Sequence, residues 1–346
     1  TLKTKYVSKV SYEIYSNLTM RKCKLVIMFD SYFLKVNNSI ELLVNDLNES
    51  KIYDPIKYFL KLPSKRIRPI ATIISNQLFN SNIDYALPAA LANEVFHNFT
   101  LIHDDIMDSS KIRRGKETVH LKWDSNQAIL SGDSMLILSY KLLEKYPQEI
   151  QKPLLKLFND TALLICEGQQ LDIDFEKQKD LEYNSYIKMI KYKTAVLLGS
   201  SLKMGAVINN VDNSISDLLY ECGINLGLAF QIQDDYLDLF GSQKLIGKKV
   251  GGDIVENKKT ILYHICYANS NSKQKSLLNE IYDSTDSNKI ENARKLFKET
   301  KADLQSKNLV KKYSELAISQ INDLDLDSSK KLELVCLSKL LLNRKF

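Results

Sequence analysis

Apolar residues recur at three- and four-residue spacing along most of this 346-residue chain, and strand-length alternation is nearly absent. That periodicity turns one helical face after another toward a core, so the fold class is all-α. Eleven glycines and six prolines leave little to interrupt long helices. The pattern predicts helices near 30–48, 66–79, 85–108, 126–145, 152–177, 182–209, 214–240, 258–269, 274–284, 287–304, 306–322 and 328–343. No stretch has the composition of an interdomain linker and no fixed-period repeat is present, so residues 30–346 are expected to form one helical bundle.

The formal charge of +6 is uneven. Residues 1 to 27 hold Lys3, Lys5, Lys9, Arg21, Lys22 and Lys24 against Glu13, and the rest is close to neutral. Without a continuous basic face or interleaved aromatics, nucleic acid is excluded as a partner. Residues 1 to 29 are expected to be a solvated leader, an upstream extension or the remnant of an organellar transit sequence. Five scattered cysteines without CxxC spacing argue against a disulfide framework or a zinc cluster, and a reducing, cytoplasmic setting fits. The most apolar tail, LELVCLSKLLL, is broken by Lys339 and is too short for a membrane span.

Two segments carry chemistry. In HNFTLIHDDIMD, helical spacing aligns His97, Leu101, Asp104 and Asp108, with Asp105 about a hundred degrees aside. In FQIQDDYLDLF the same arithmetic aligns Gln231, Asp234, Asp235 and Asp238. A lone DDxxD reads equally well as a solvated acidic face. The apolar flanks of both clusters argue for burial, where carboxylates repel one another unless cations intervene. Oxygen-only ligands on rigid helices favour Mg²⁺, which keeps waters and also binds substrate phosphates. Arg113 and Arg114 follow the first cluster closely, which makes sense if an anion with several oxygens, such as a diphosphate, lies between cations and metal. Lys65, Arg66 and Arg68 precede a helix start, a second place for an anion. Lys193 with Thr194, and Lys248 and Lys258 in the loop GSQKLIGKKVGGDIVENKKT, are further candidates. Taken singly, each lysine reads as readily as an ordinary solvated side chain. His97 is placed to touch an anion; His103 reads as a satisfied polar residue. GxSxG, P-loop and dinucleotide fingerprints are absent.

From about residue 30 onward these segments resemble the trans-isoprenyl diphosphate synthases. The resemblance is carried, in family order, by KRIRP (65–69), HNFTLIHDDIMD (97–108), RRG (113–115), GQQLD (168–172), KT (193–194), FQIQDDYLD (230–238) and GKKVGGDIVENKKT (247–260). It implies an all-α bundle, usually a homodimer, holding Mg²⁺, three ions per site, in a central cavity. Asp104, Asp108, Asp234 and Asp238 are implied metal ligands, with Asp172 assisting. Arg113, Lys193, Thr194, Gln231, Lys248 and Lys258 resemble the positions that hold an allylic diphosphate. Lys65, Arg68, His97 and Arg114 resemble the isopentenyl diphosphate site. The chain departs from the family at Pro63-Ser64, where two glycines are usual, and at Asn257, a frequent glycine.

The implied reaction is chain elongation. Ionisation of an allylic diphosphate is followed by attack of the isopentenyl double bond and loss of a proton. Product length in such enzymes depends on side chains above the first Asp motif, here Phe99 and Thr100. One ring and one small neighbour point to a C20 product, with C15 the alternative. A noncatalytic partner subunit, a terpene cyclase and a helical metal-binding module fit less well, because both acidic motifs are complete and flanked by cations.

Overall fold

A computed structural model describes residues 20–177, 182–241 and 250–342. The described residues fall into two compact units, those within 20–155 and 204–211, and those within 156–203 and 212–342. Both boundaries near 155 and 203 fall inside helices, Gln148–Lys177 and Val196–Val207, so no change of composition marks them.

The first unit contains α1 (Met20–Asn45), α2 (Tyr53–Leu60), α3 (Ile67–Gln77), α4 (Ile83–Met107), the short α5 (Val119–Lys122) and α6 (Ser125–Leu143). At its centre lies α4, packed against α3 and α6. Ala86, Ala89, Ala90, Ala92, Val95 and Phe96 are all buried on it, so apolar residues occupy most of its faces, as a core helix requires. Asn82 caps its start by accepting from the Asp84 amide at 3.0 Å. Its end is set by Ser109, which turns into the left-handed region at φ 50°.

Beyond that stop the chain makes a hairpin, β1 (Ile112–Arg113) pairing antiparallel with β2 (Lys116–Glu117). Its two loop residues, Arg114 and Gly115, have φ of 54° and 74°. Positive φ at both central positions is the geometry of a tight two-residue hairpin turn, and it explains the glycine of the RRG sequence. The periodicity reading did not foresee this hairpin, nor the short helices α2 and α5.

The second unit takes α7 (Gln148–Lys177) from residue 156 onward, then α8 (Tyr183–Ile190), a π-helical turn at Lys191–Ala195, and α9 (Val196–Val207) as far as residue 203. The long α10 (Asn213–Phe240) is followed by α11 (Gly252–Val255), α12 (Ile261–Asn269), α13 (Ser272–Asp283), α14 (Lys289–Glu299), α15 (Ala302–Asp323) and α16 (Ser328–Leu342). Helix α10 lies along α15 and also meets the π turn.

Two expectations need adjusting. The first helix begins at Met20, inside the expected leader, because Met, Arg, Lys and Leu are good helix formers whatever their charge; residues 1–19 lie outside the described residues. The single helix expected over 182–209 is interrupted by the π turn. KYKTA contains no Gly or Pro to announce it. What the turn meets is Gly168 on α7: a Cβ there would sit 2.3 Å from the Lys193 amide nitrogen and 2.7 Å from the Tyr192 carbonyl carbon. Backbone against backbone cannot yield as a flexible side chain can. Gly168→Ala is therefore expected to lower the unfolding free energy by about 1–3 kcal/mol, after up to about 1 kcal/mol gained from alanine in a helix interior. Urea titration followed by circular dichroism measures it.

Candidate active site

In the first unit the acidic motif sits on the last turns of α4. Asp104 is half-buried and Asp108 is exposed. Asp105, 1% exposed, points elsewhere. Its Oδ1 accepts from Arg113 Nε at 2.8 Å and Nη2 at 2.6 Å, and its buried Oδ2 has no hydrogen-bond partner among the described residues. Burial pushes the Asp105 carboxyl up and the Arg113 guanidinium opposes this. Arg113, a candidate for holding substrate, is thus tethered to the motif itself.

Arginines dominate the rest of this unit's site. Arg66, the left-handed residue ahead of α3, is buried and bound to Glu94 Oε1 (2.6 Å), the Leu60 carbonyl (2.6 Å) and Asn37 Oδ1 (3.2 Å). It is a structural anchor. Arg68 reaches His97 Nε2 at 3.0 Å through Nη1, while its buried Nε has no hydrogen-bond partner among the described residues. Arg114 reaches Asn98 Oδ1 at 3.0 Å and lies 5.6 Å from the Phe59 ring centroid. Burial lowers both Arg68 and Arg114 to about 10, Glu94 opposes, and neighbouring arginines add to the effect on Arg114. His97 is driven well below the usual histidine range, first by burial and then by Arg68, Arg114, Arg113 and Arg66. Its neutral ring accepts from Arg68 at Nε2, which puts the proton on Nδ1. Lys65 is exposed.

Four guanidinium groups therefore crowd one another around two buried carboxylates, of which Glu94 pairs with Arg66 and Asp105 with Arg113. The surplus is positive, in a setting where charge is poorly solvated, and a multiply charged anion relieves it. Sequence reasoning missed Glu94 and Asn98, although both share a helical face with Asp105, eleven and seven residues before it.

Above the motif, the Phe99 ring contacts Phe96 (5.5 Å between centroids) and His103 (4.8 Å). Thr100 donates to the His97 carbonyl at 2.9 Å. His103 fits against Gly132 of α6, where a Cβ would fall 2.2 Å from its Nε2, and contacts the Ile129 carbonyl at 3.2 Å. The reading of His103 as a satisfied polar residue fits these contacts.

In the second unit, Asp234 is exposed and Asp238 half-buried on α10. Asp235 does not join their stripe, as the spacing suggested; it is buried and accepts from Tyr186 (2.5 Å), Gln231 (2.9 Å) and the Ile261 amide (3.4 Å). Burial raises it to about 6, with the Tyr186 and Gln231 hydrogen bonds opposing. Thr194 donates to Gln231 Oε1 at 3.2 Å, and Lys193 pairs with Asp172 at 2.5 Å, so the π turn delivers both KT side chains to this network. Lys258 is half-exposed and pairs with Glu256 at 2.8 Å. Lys248 lies outside the described residues.

Asp253, which the sequence reading passed over, belongs to the same cluster. Its amide donates to Asp238 Oδ2 at 3.0 Å, and its carboxyl is raised to about 7 by burial, then by Asp238 and Asp235, with Lys258 opposing. The GGD step could have drawn attention to it, since Gly251 takes φ 81° and donates to the Asp238 carbonyl at 2.7 Å.

Among the described residues no three His, Cys, Asp or Glu side chains converge as a closed metal cage. The donor set still fits Mg²⁺. It is all oxygen, it is open, and in the second unit burial together with the neighbouring carboxylates of Asp238 and Asp235 raises the Asp253 carboxyl to about 7. Mg²⁺ takes one or two carboxylates from the protein and completes its shell with water and phosphate oxygens.

The comparisons with known proteins agree with this chemistry. The polyprenyl synthetase model matches residues 49–300. A geranylgeranyl diphosphate synthase of Saccharolobus solfataricus is 34% identical over 303 residues, spanning 85% of this chain and 91% of that protein. The crystal structure of a geranylgeranyl pyrophosphate synthetase from Pyrococcus horikoshii matches with a TM-score of 0.88 at 30% identity, covering 94% of this chain and 100% of that one. A second geranylgeranyl pyrophosphate synthase crystal structure matches with a TM-score of 0.87 at 41% identity, covering 92% and 99%. The chain belongs to the polyprenyl synthetase family. It is a trans-prenyltransferase with the all-α isoprenoid synthase fold, in a family that uses isoprenoid diphosphates and is generally Mg²⁺-dependent.

The carboxyls of Asp235 and Asp253 titrate above the ordinary carboxylate value of about 4. Between that value and about 7 the folded protein binds more protons than the unfolded chain. Stability without divalent ions is therefore expected to fall as pH rises through that window. Asp253→Asn is expected to flatten the fall and raise the melting temperature by at least about 2 °C near pH 7.5, read from thermal melts across pH.

Proposed function

We propose that this enzyme elongates dimethylallyl, geranyl and farnesyl diphosphates with isopentenyl diphosphate, ending at geranylgeranyl diphosphate. The observation that carries the reading is the excess of guanidinium over carboxylate around Arg66, Arg68, Arg113 and Arg114, beside a motif of oxygen ligands. In the first unit, Arg68, Arg114, His97 and Lys65 hold isopentenyl diphosphate. Neutral His97 suits this, since its Nδ1–H donates to a phosphate oxygen while Nε2 fixes Arg68. Arg113, Lys193, Thr194, Gln231, Lys248 and Lys258 are assigned to the allylic diphosphate.

Asp104 and Asp108, and Asp234 and Asp238, are the proposed ligands for three Mg²⁺ ions, with Asp172 assisting. When bound, the ions offset the negative charge that gathers on the departing diphosphate. Arg113 and Lys193 add fixed cations for the same charge as the allylic C1–O bond breaks. The isopentenyl double bond then attacks C1, and a proton leaves to the diphosphate. Apolar side chains of α4 keep water from the cation.

Phe99, braced by Phe96 and His103, is the proposed stop for the growing chain, with small Thr100 beside it. Support for a homodimer comes from α6, which exposes Leu130 and Ile137 seven residues apart on one face. The free cysteines Cys166, Cys222, Cys266 and Cys336 support a reducing, cytoplasmic setting.

Incubation with Mg²⁺, isopentenyl diphosphate and each allylic diphosphate, with products separated by chain length, tests the reading. C20 is expected to predominate. Asp104→Ala or Asp234→Ala should reduce turnover about a thousandfold or more, and Phe99→Ser should lengthen the product. A cyclic hydrocarbon with released diphosphate, or no turnover with any starter, would overturn the proposal. For the assembly, Leu130→Glu with Ile137→Glu is expected to convert a dimer to a monomer in light scattering.

A further inference from the structure

Asn98 is fully buried on α4, one turn beyond Glu94 and six residues ahead of Asp104. Its Nδ2 donates to the Glu94 carbonyl at 2.6 Å and to Glu94 Oε1 at 3.2 Å, while its Oδ1 accepts from Arg114 Nη1 at 3.0 Å. The orientation of this amide is forced. Arginine can only donate, and a carbonyl and a carboxylate can only accept, so the oxygen must face Arg114 and the nitrogen must face Glu94.

Glu94 in turn cannot swing away. Its Oε1 is held by Arg66 Nη1 at 2.6 Å, and Arg66 is fixed to the Leu60 carbonyl at 2.6 Å and to Asn37 at 3.2 Å. A buried relay therefore runs from the Leu60 backbone through Arg66, Glu94 and Asn98 to Arg114. At its far end Arg114 belongs to a two-residue turn and rests on Phe59. Tying Nη1 to Asn98 leaves the Nε and Nη2 edge, the one that grips phosphate with two parallel hydrogen bonds, for an anion.

We propose that Asn98 is a positioning residue: anchored through Glu94 and Arg66, it orients the Arg114 guanidinium toward the diphosphate of the isopentenyl substrate. This rests on the reading of Arg114 as a ligand of that diphosphate. No hydrogen bond of the relay reaches a group assigned to the allylic diphosphate, and the neighbouring Arg113 is held separately by Asp105, so loss of the relay acts on the isopentenyl substrate.

Steady-state kinetics of two variants test it. Asn98→Ala removes both arms. Asn98→Thr keeps a helix-compatible residue whose hydroxyl bonds back to the Glu94 carbonyl, as buried helical threonines do, yet lacks the reach to Arg114. Both are expected to raise KM for isopentenyl diphosphate about tenfold, the worth of a hydrogen bond to a charged group. The KM for farnesyl diphosphate should stay within about twofold, and kcat should change less than about threefold. Asn98→Thr keeps the test available if Asn98→Ala does not fold. A folded variant with a lower melting temperature and an unchanged KM for isopentenyl diphosphate overturns the proposal, as does an equal rise for both substrates. Arg114→Lys is the control. If it leaves that KM unchanged, the reading of Arg114 itself fails; if it raises that KM while both Asn98 variants do not, only the positioning role fails.

Discussion

A single buried carboxylate, Glu94, is the counter-charge on which the first unit's arginine cluster depends. It pairs with Arg66 out of contact with water and opposes the lowered proton affinity of Arg68 and Arg114. Without it several cations would share a poorly solvated space with Asp105 alone, and each uncompensated charge there is costly. With it the cluster is tolerable yet still in positive excess. That residual imbalance gives the unit its affinity for a polyanion, so the same electrostatics that strains the free protein favours the bound substrate.

The second unit shows the same logic with the sign reversed. Carboxylates of Asp235, Asp238 and Asp253 crowd around one end of α10; hydrogen bonds from Tyr186, Gln231 and the Ile261 amide hold Asp235, and the Asp253 amide holds Asp238. Within each DDxxD the middle aspartate turns into the protein: Asp105 holds Arg113, and Asp235 holds Tyr186 and Gln231. The outer members, Asp104 and Asp108 or Asp234 and Asp238, remain on the more accessible side. One motif thus serves two purposes because successive helical residues point about a hundred degrees apart.

The periodicity of the chain determined most of the long helices, and motif spacing determined that Asp104 lies with Asp108 and Asp234 with Asp238, while Asp235 was decided by its distant partners. Periodicity and spacing follow from local geometry, which a sequence carries directly. Charge beside apolar residues likewise pointed to cations and a polyanion before any contact was known. The tertiary structure decided what depends on residues distant in sequence. The π turn exists opposite Gly168, Asp253 reaches Asp238 across fifteen residues, and Arg66 proves an anchor because Glu94, twenty-eight residues on, meets it. Asn98 carries no signal of its own in the sequence. Its hold on Arg114 became legible only when the hairpin turn brought that arginine back along α4, since a hydrogen bond needs both partners in place and the sequence names only one at a time.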